Sequence, residues 1–213
     1  MKKLVLYSDQ IINVSENIDK ELLKLIGKEN PKVGYIASYT DTDRVWFYRN
    51  KEYYAKMGIN NFFYFDVDKE FDETKVEELL SSDAIHLSGG NTFYFLSLFK
   101  KRKFIELIKD YVYRGGVLIG VSAGSIIMTP RIDIAGFIDE NEIELTETEG
   151  LELVKFEYMP HWQKENNIDN IIEYSRNNKS TVYICSDRDG IIIDNDEIKF
   201  IGDVIKINDG KIL

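Results

Sequence analysis

Residues 115–128, "GGVLIGVSAGSIIM", run from a glycine pair through an apolar strand pattern to a serine framed by glycines, then into a second apolar run. A strand that delivers the chain to a tight turn, with a helix leaving it, is the context in which a G-x-S-x-G serine becomes a raised nucleophile. The glycines suit that geometry because no side chain fits between such a turn and its neighbouring strand and helix. The following helix would aim its N-terminal N–H groups at Ser122 or at an oxygen bound beside it. By composition alone the five-residue pattern arises roughly 0.07 times in a chain of this length, so it carries weight only with its surroundings. The plainer reading is a strand-to-helix turn that merely prefers small residues.

Outward from this stretch, short β-rich runs alternate with amphipathic helical patterns. Strands are expected at residues 4–7, 33–38, 61–66, 84–87, 117–121, 182–185 and 191–193, and helices at 17–26, 43–57, 70–80, 91–100 and 103–113. This alternation predicts an α/β chain: a three-layer, doubly wound, mostly parallel sheet with helices on both faces. The tail at 196–213, "DEIKFIGDVIKINDGKIL", changes to residue-by-residue alternation with an "NDG" turn, and predicts a closing C-terminal β-hairpin. In an open sheet of this kind ligands bind beyond the carboxyl ends of the strands. Both glycine clusters, "HLSGGNTF" at 86–93 and "GVSAGS" at 120–125, should open onto that crevice.

Composition narrows the function. The 213 residues, 44% hydrophobic and 13% aromatic, suffice for a sizeable core, and with three prolines and no repeat a single domain spanning 1–213 is expected. Lys plus Arg number 27 against 37 Asp plus Glu, a net charge of −10 that repels phosphate backbones, so nucleic acid is not an expected partner. The opening "MKKLVLYSDQ" is apolar over only four residues, too short for a signal sequence or a membrane span, and a cytoplasmic protein is expected. Cys185, the one cysteine, lies in an apolar strand run and reads as a buried, inert thiol. The two histidines are far apart in sequence, which gives no zinc pattern, and no metal or other cofactor is expected.

A serine hydroxyl needs a base. His86 sits mid-strand among apolar neighbours and reads as a core residue, which leaves His161, after Pro160, as the candidate base by elimination. An acceptor must hold the second ring nitrogen, and Asp133, Asp187 and Asp189 are the candidates, in either chain order. The N–H of Ala123, next to the serine, is a natural oxyanion donor, and Gly90 in "SGGN" could bring a second. The aromatic set Trp46, Phe47, Tyr48, Tyr53, Tyr54 and Trp162 supplies candidates to line a pocket, although the members at 43–57 read first as the core face of a helix.

"GGNTFYFL" at 89–96, "GVSAGSIIM" at 120–128, "MPHW" at 159–162 and "SDRDG" at 186–190 together resemble the peptidase E family of serine peptidases, the aspartyl dipeptidases, with cyanophycinases as relatives. The resemblance implies a fold like that of class I glutamine amidotransferases, a flavodoxin-like arrangement, with serine in place of their cysteine. It implies Ser122 as nucleophile, His161 as base, and Gly90 and Ala123 as the oxyanion hole. The family's third member is a glutamate in a P-E-G turn; the matching "DRDG" makes Asp189 the expected acid, with Asp187 and then Asp133 as alternatives. Asn91 and Trp162 are expected to contact substrate. The family's arginine-bearing segment after the histidine is shortened here: Arg176 falls well down a predicted helix, and Arg131 or Lys164 are the candidate replacements. The function implied is hydrolysis of a short peptide, dipeptidase-like, through an acyl-enzyme on Ser122, with a homodimer left open. The alternative is a non-catalytic module that binds a small molecule or peptide on the same scaffold.

Overall fold

A computed structural model describes residues 1–213. In chain order the elements are β1 (Lys3–Tyr7), α1 (Glu16–Ile26), β2 (Lys32–Ala37), α2 (Val45–Lys56), β3 (Asn61–Asp66), α3 (Val76–Leu80), β4 (Ala84–Leu87), α4 (Thr92–Lys101), α5 (Phe104–Tyr113), β5 (Val117–Val121) and α6 (Ala123–Ile126). They continue with β6 (Glu157–Met159), α7 (Ile168–Asn178), β7 (Thr181–Ile184), β8 (Gly190–Asp194), β9 (Glu197–Ile201), β10 (Ile205–Asn208) and β11 (Lys211–Ile212).

The large sheet has the order β3-β2-β4-β5-β1-β8-β9. Its first five strands are parallel, and β8 and β9 complete it as an antiparallel hairpin. Because side chains alternate across a strand, β1 sends Leu4 and Leu6 to one face and Val5 and Tyr7 to the other, and all four are buried. Burial on both faces is what a parallel sheet covered by helices requires. The face carrying Leu4 and Leu6 packs under α4, α5 and a second sheet in a 39-residue cluster, whereas an 18-residue cluster joins the other face to α1 and α2. Each fully buried leucine or isoleucine contributes about 1.5–3 kcal/mol, so register is held from both sides.

The second sheet, β11-β10-β7-β6, departs from the sequence expectation, which put strand 182–185 in the main sheet. There β7 pairs in parallel with β6, through Tyr158↔Tyr183, and antiparallel with β10. The expected hairpin at "NDG" forms, with Asp209 and Gly210 both at positive φ (47° and 74°), and it joins this second sheet. The helix expected at 70–80 is broken: Asp72 caps a 3₁₀ turn at Glu73–Lys75, and only Val76–Leu80 is α-helical. No helix is long and apolar enough to cross a membrane.

Candidate active site

The parallel strands β1, β2, β4 and β5 end side by side, and the loops leaving them wall a cavity of about 380 Å³. Ser122 lies at its edge, half-buried, directly after β5. Its backbone has φ 51° and ψ −112°, which costs an L-residue strain and lifts the side chain off the strand end. The surroundings hold that conformation in place. The Ser122 N–H donates to the carbonyl of Tyr7 at 3.1 Å, and the Ser125 hydroxyl donates to the same oxygen at 2.8 Å. Both motif glycines are there for space: a Cβ on Gly120 would lie 2.6 Å from the Gly124 backbone, and one on Gly124 would lie 2.1 Å from the Leu87 carbonyl.

His161 arrives from the other sheet, two residues beyond β6. It too has positive φ (57°), and its N–H donates to the buried hydroxyl of Ser8 at 2.7 Å, while the Trp162 N–H donates to the Cys185 carbonyl at 3.0 Å. The Ser8 hydroxyl donates in turn to the Cys185 carbonyl at 3.3 Å. So held, the imidazole bridges two side chains: Nε2 lies 2.7 Å from Ser122 Oγ, and Nδ1 lies 2.6 Å from Asp187 Oδ1. A carboxylate on Nδ1 fixes the proton there and leaves Nε2 free to accept the serine proton.

The acid on the imidazole is therefore Asp187, and the first choice, Asp189, is corrected. Asp189 points away from the cavity and is 1% exposed. Its carboxylate accepts the Ser186 N–H at 2.9 Å, the Ser186 hydroxyl at 2.6 Å and the Asp203 N–H at 3.2 Å, which ties the turn to the chain after β9. The "DRDG" likeness identified the turn but not which aspartate it turns outward. Asp133 is also elsewhere: it pairs with Arg131 and accepts from the Thr148 hydroxyl.

The N–H groups of Gly90 and Ala123 make no hydrogen bond within the chain. Gly90 has φ 144°, and a Cβ there would sit 2.2 Å from Ser38 Oγ, so only glycine brings this amide to the cavity wall. The two expected substrate contacts are not among the cavity-lining residues. Asn91 instead caps α4, its Oδ1 accepting the Tyr94 N–H at 3.0 Å while its amide donates to Glu140 O, and Trp162 packs against the core. Strong helix capping by Asn was the signal that could have assigned it. Arg131 is held by Asp133 and Glu149, Arg176 leans on Gly210, and neither they nor Lys164 line the cavity.

The sequence reading missed Ser8, Gln10, Tyr35 and Arg49, all near or in the cavity wall. Of the aromatic set, Trp46 lines the cavity, Phe47, Tyr53 and Tyr54 are core, and Tyr48 is exposed. His86 is buried as read, and burial pushes its pKa down to about 3. Burial likewise pushes the Cys185 thiol up to about 12, so it stays protonated and unreactive near neutrality.

Comparison with known proteins gives the family and the fold. The profile of peptidase family S51 matches residues 4–201. The uncharacterised peptidase Lmo0363 of Listeria monocytogenes is 32% identical over 127 residues, covering 57% of this chain and 61% of that one. Peptidase E of a Nostoc species is 28% identical over 170 residues, 76% of this chain and 66% of the relative. A crystal structure of a candidate peptidase E from Listeria monocytogenes has the same fold, with a TM-score of 0.76 at 24% identity over 94% of this chain and 98% of that one.

Proposed function

The chain belongs to peptidase family S51, and on that premise we propose that it hydrolyses short peptides through an acyl-enzyme on Ser122, with His161 as base and Asp187 as the third member. The observation that carries this reading is the 2.7 Å contact between Ser122 Oγ and His161 Nε2.

In the forward step Ser122 Oγ attacks the scissile carbonyl carbon while its proton passes to His161 Nε2. Asp187 keeps the ring oriented and stabilises the imidazolium that forms. The carbonyl oxygen gains negative charge, which the N–H groups of Gly90 and Ala123 receive; one such donor is worth about 10²–10³ in kcat. His161 then returns the proton to the leaving amine. A water, activated by the same nitrogen, attacks the ester and frees Ser122.

The test is direct. Ser122→Ala and His161→Ala should each lower kcat on a hydrolysed dipeptide by about 10⁴-fold or more, and the double variant should lose no more than either alone. A serine-directed phosphonate should label the wild-type protein at Ser122. Undiminished turnover in Ser122→Ala would overturn the assignment. Peptide-induced thermal stabilisation without turnover in the wild type would favour the binding-module alternative instead.

A further inference from the structure

The peptide joining Gly89 to Gly90 carries one of the two N–H groups that face the cavity, and nothing in two glycines holds it one way round. A peptide unit flanked by glycines turns over as a block at little steric cost, which would bring the Gly89 carbonyl to where the Gly90 N–H now points. The Ala123 N–H needs no such control, because it opens α6 directly from the elbow that the Tyr7 carbonyl anchors.

Two buried serines meet the Gly89 carbonyl. The Ser38 hydroxyl donates to it at 2.6 Å and the Ser88 hydroxyl at 3.2 Å. The serines are tied to each other and to the sheet: the Ser38 N–H donates to Ser88 Oγ at 2.8 Å, and the Ser88 N–H donates to the Ile36 carbonyl at 3.1 Å. Ser38 follows β2 and Ser88 follows β4, neighbouring strands paired in parallel through Ile36↔Leu87. In a trans peptide the C=O and the N–H point in opposite directions, so a carbonyl pinned against the serines turns the Gly90 N–H away from them. That N–H makes no bond within the chain, and the whole assembly lines the cavity that Ser122 borders.

We infer that Ser38 and Ser88 are positioning residues that clamp the Gly89–Gly90 peptide with its N–H facing the reacting carbonyl. The inference rests on the mechanism proposed above and adds to it two residues outside the triad and the oxyanion hole. Neither hydroxyl meets the oxyanion; each acts through the Gly89 carbonyl. Turned over, the peptide would set a carbonyl dipole against the developing negative charge and leave both hydroxyls without their acceptor. The clamp therefore acts where charge builds up, in the transition state, and hardly at all on bound substrate.

The experiment separates those two states. Ser38→Ala should lower kcat on a hydrolysed dipeptide about ten-fold with KM within about two-fold, and Ser38→Ala combined with Ser88→Ala should take the loss to about 10²–10³, the worth of one oxyanion donor. Labelling by an aryl phosphonate reads the same hole without turnover. Ser122 Oγ bonds to phosphorus, the aryloxide leaves, the serine proton passes to His161, and the phosphoryl oxygen takes the oxyanion's place. Its rate should fall in the same proportion, while the midpoint of the acid limb of kcat against pH stays at the wild-type position. Ser38→Cys, which keeps the volume but donates weakly, should be as slow as Ser38→Ala, and it reads the clamp should the alanine variant fail to fold. A crystal structure of the double variant should show the Gly89 carbonyl turned from its wild-type direction. Rates within about two-fold of wild type, a loss confined to KM, a shifted pH midpoint or a cysteine variant as fast as wild type would each overturn the clamp and leave the triad standing. A wild-type protein that neither turns over peptide nor takes the label would instead remove the mechanism on which the clamp rests.

Discussion

The elbow between β5 and α6 and the turn between β7 and β8 deliver side chains to one cavity rim, but opposite means hold them. At the elbow, backbone holds backbone: Ser122 hangs from the Tyr7 carbonyl, and Gly120 and Gly124 touch neighbouring main chain so closely that no Cβ fits. At the turn, side chains hold backbone: the Asp189 carboxylate gathers three donors, and that leaves Asp187, two residues earlier, facing the imidazole with 43% of its side chain exposed. A position set by steric exclusion is written in small residues and can be recognised from them. One set by which of two identical side chains turns inward cannot.

The sharpest way to break this comparison is to exchange carboxylate for amide at both positions of the turn. Asp187→Asn should leave stability close to wild type and cut kcat by about 10⁴-fold, because an amide on Nδ1 no longer fixes the productive tautomer. Asp189→Asn should do the reverse. Its amide sets N–H groups against the donors that the carboxylate now accepts, costing about 1–3 kcal/mol in chemical denaturation, while kcat in the cold stays within a few-fold. If Asp189→Asn lost activity as Asp187→Asn does, without losing stability, the division of labour described here would be wrong.

A smaller effect is expected at Ser8, which positions the base without touching the reacting atoms. Ser8→Ala strands the His161 N–H and should lower kcat about ten-fold with KM unchanged, together with a stability loss of about 1–3 kcal/mol. A rise in KM alone would mean that the hydroxyl shapes the cavity rather than the imidazole.

An effect on stability alone belongs to the large sheet and is read from pH. His86 is held neutral in the folded chain, its pKa lowered to about 3, while in the unfolded chain it titrates near the ordinary 6.5. Between those values the unfolded state binds the extra proton. The stabilisation is thus complete above about 6.5 and is lost as pH falls toward 3, at a limiting slope of about 1.4 kcal/mol per pH unit. Asp19, whose pKa burial raises, works with the opposite sign, since its folded form takes up a proton more readily on acidification. Denaturation of His86→Gln alongside wild type between pH 7 and 4 isolates the histidine, and the variant should show the flatter acid limb.

Much of the large sheet was legible because its strands are short apolar runs punctuated by glycine, and 61–66, 84–87 and 117–121 match the observed β3, β4 and β5. The second sheet was not. Strand β6 has three residues, and it pairs with β7 across more than twenty intervening positions, which no local pattern reports. In the site, Ser122 could be read from its glycines and His161 by elimination among two histidines, and the structure brings the two together. The acid was misassigned within its own turn. Arg49 escaped notice because it lies in a helix whose aromatic residues, Phe47, Tyr53 and Tyr54, dominate the pattern and are indeed core. Which residue on such a helix faces a cavity depends on where the sheet beneath it ends.

The end of β1 carries a consequence of its own. The Tyr7 carbonyl anchors the serine loop, and the next residue's hydroxyl anchors the histidine loop, so two successive residues at the end of one strand form the common gauge between two sheets. Flexing of either sheet about that strand shifts hydroxyl and imidazole as one body. Loosening at Ser8 lets them drift apart while every long ladder stays intact, so on warming, turnover should fade before the fold does.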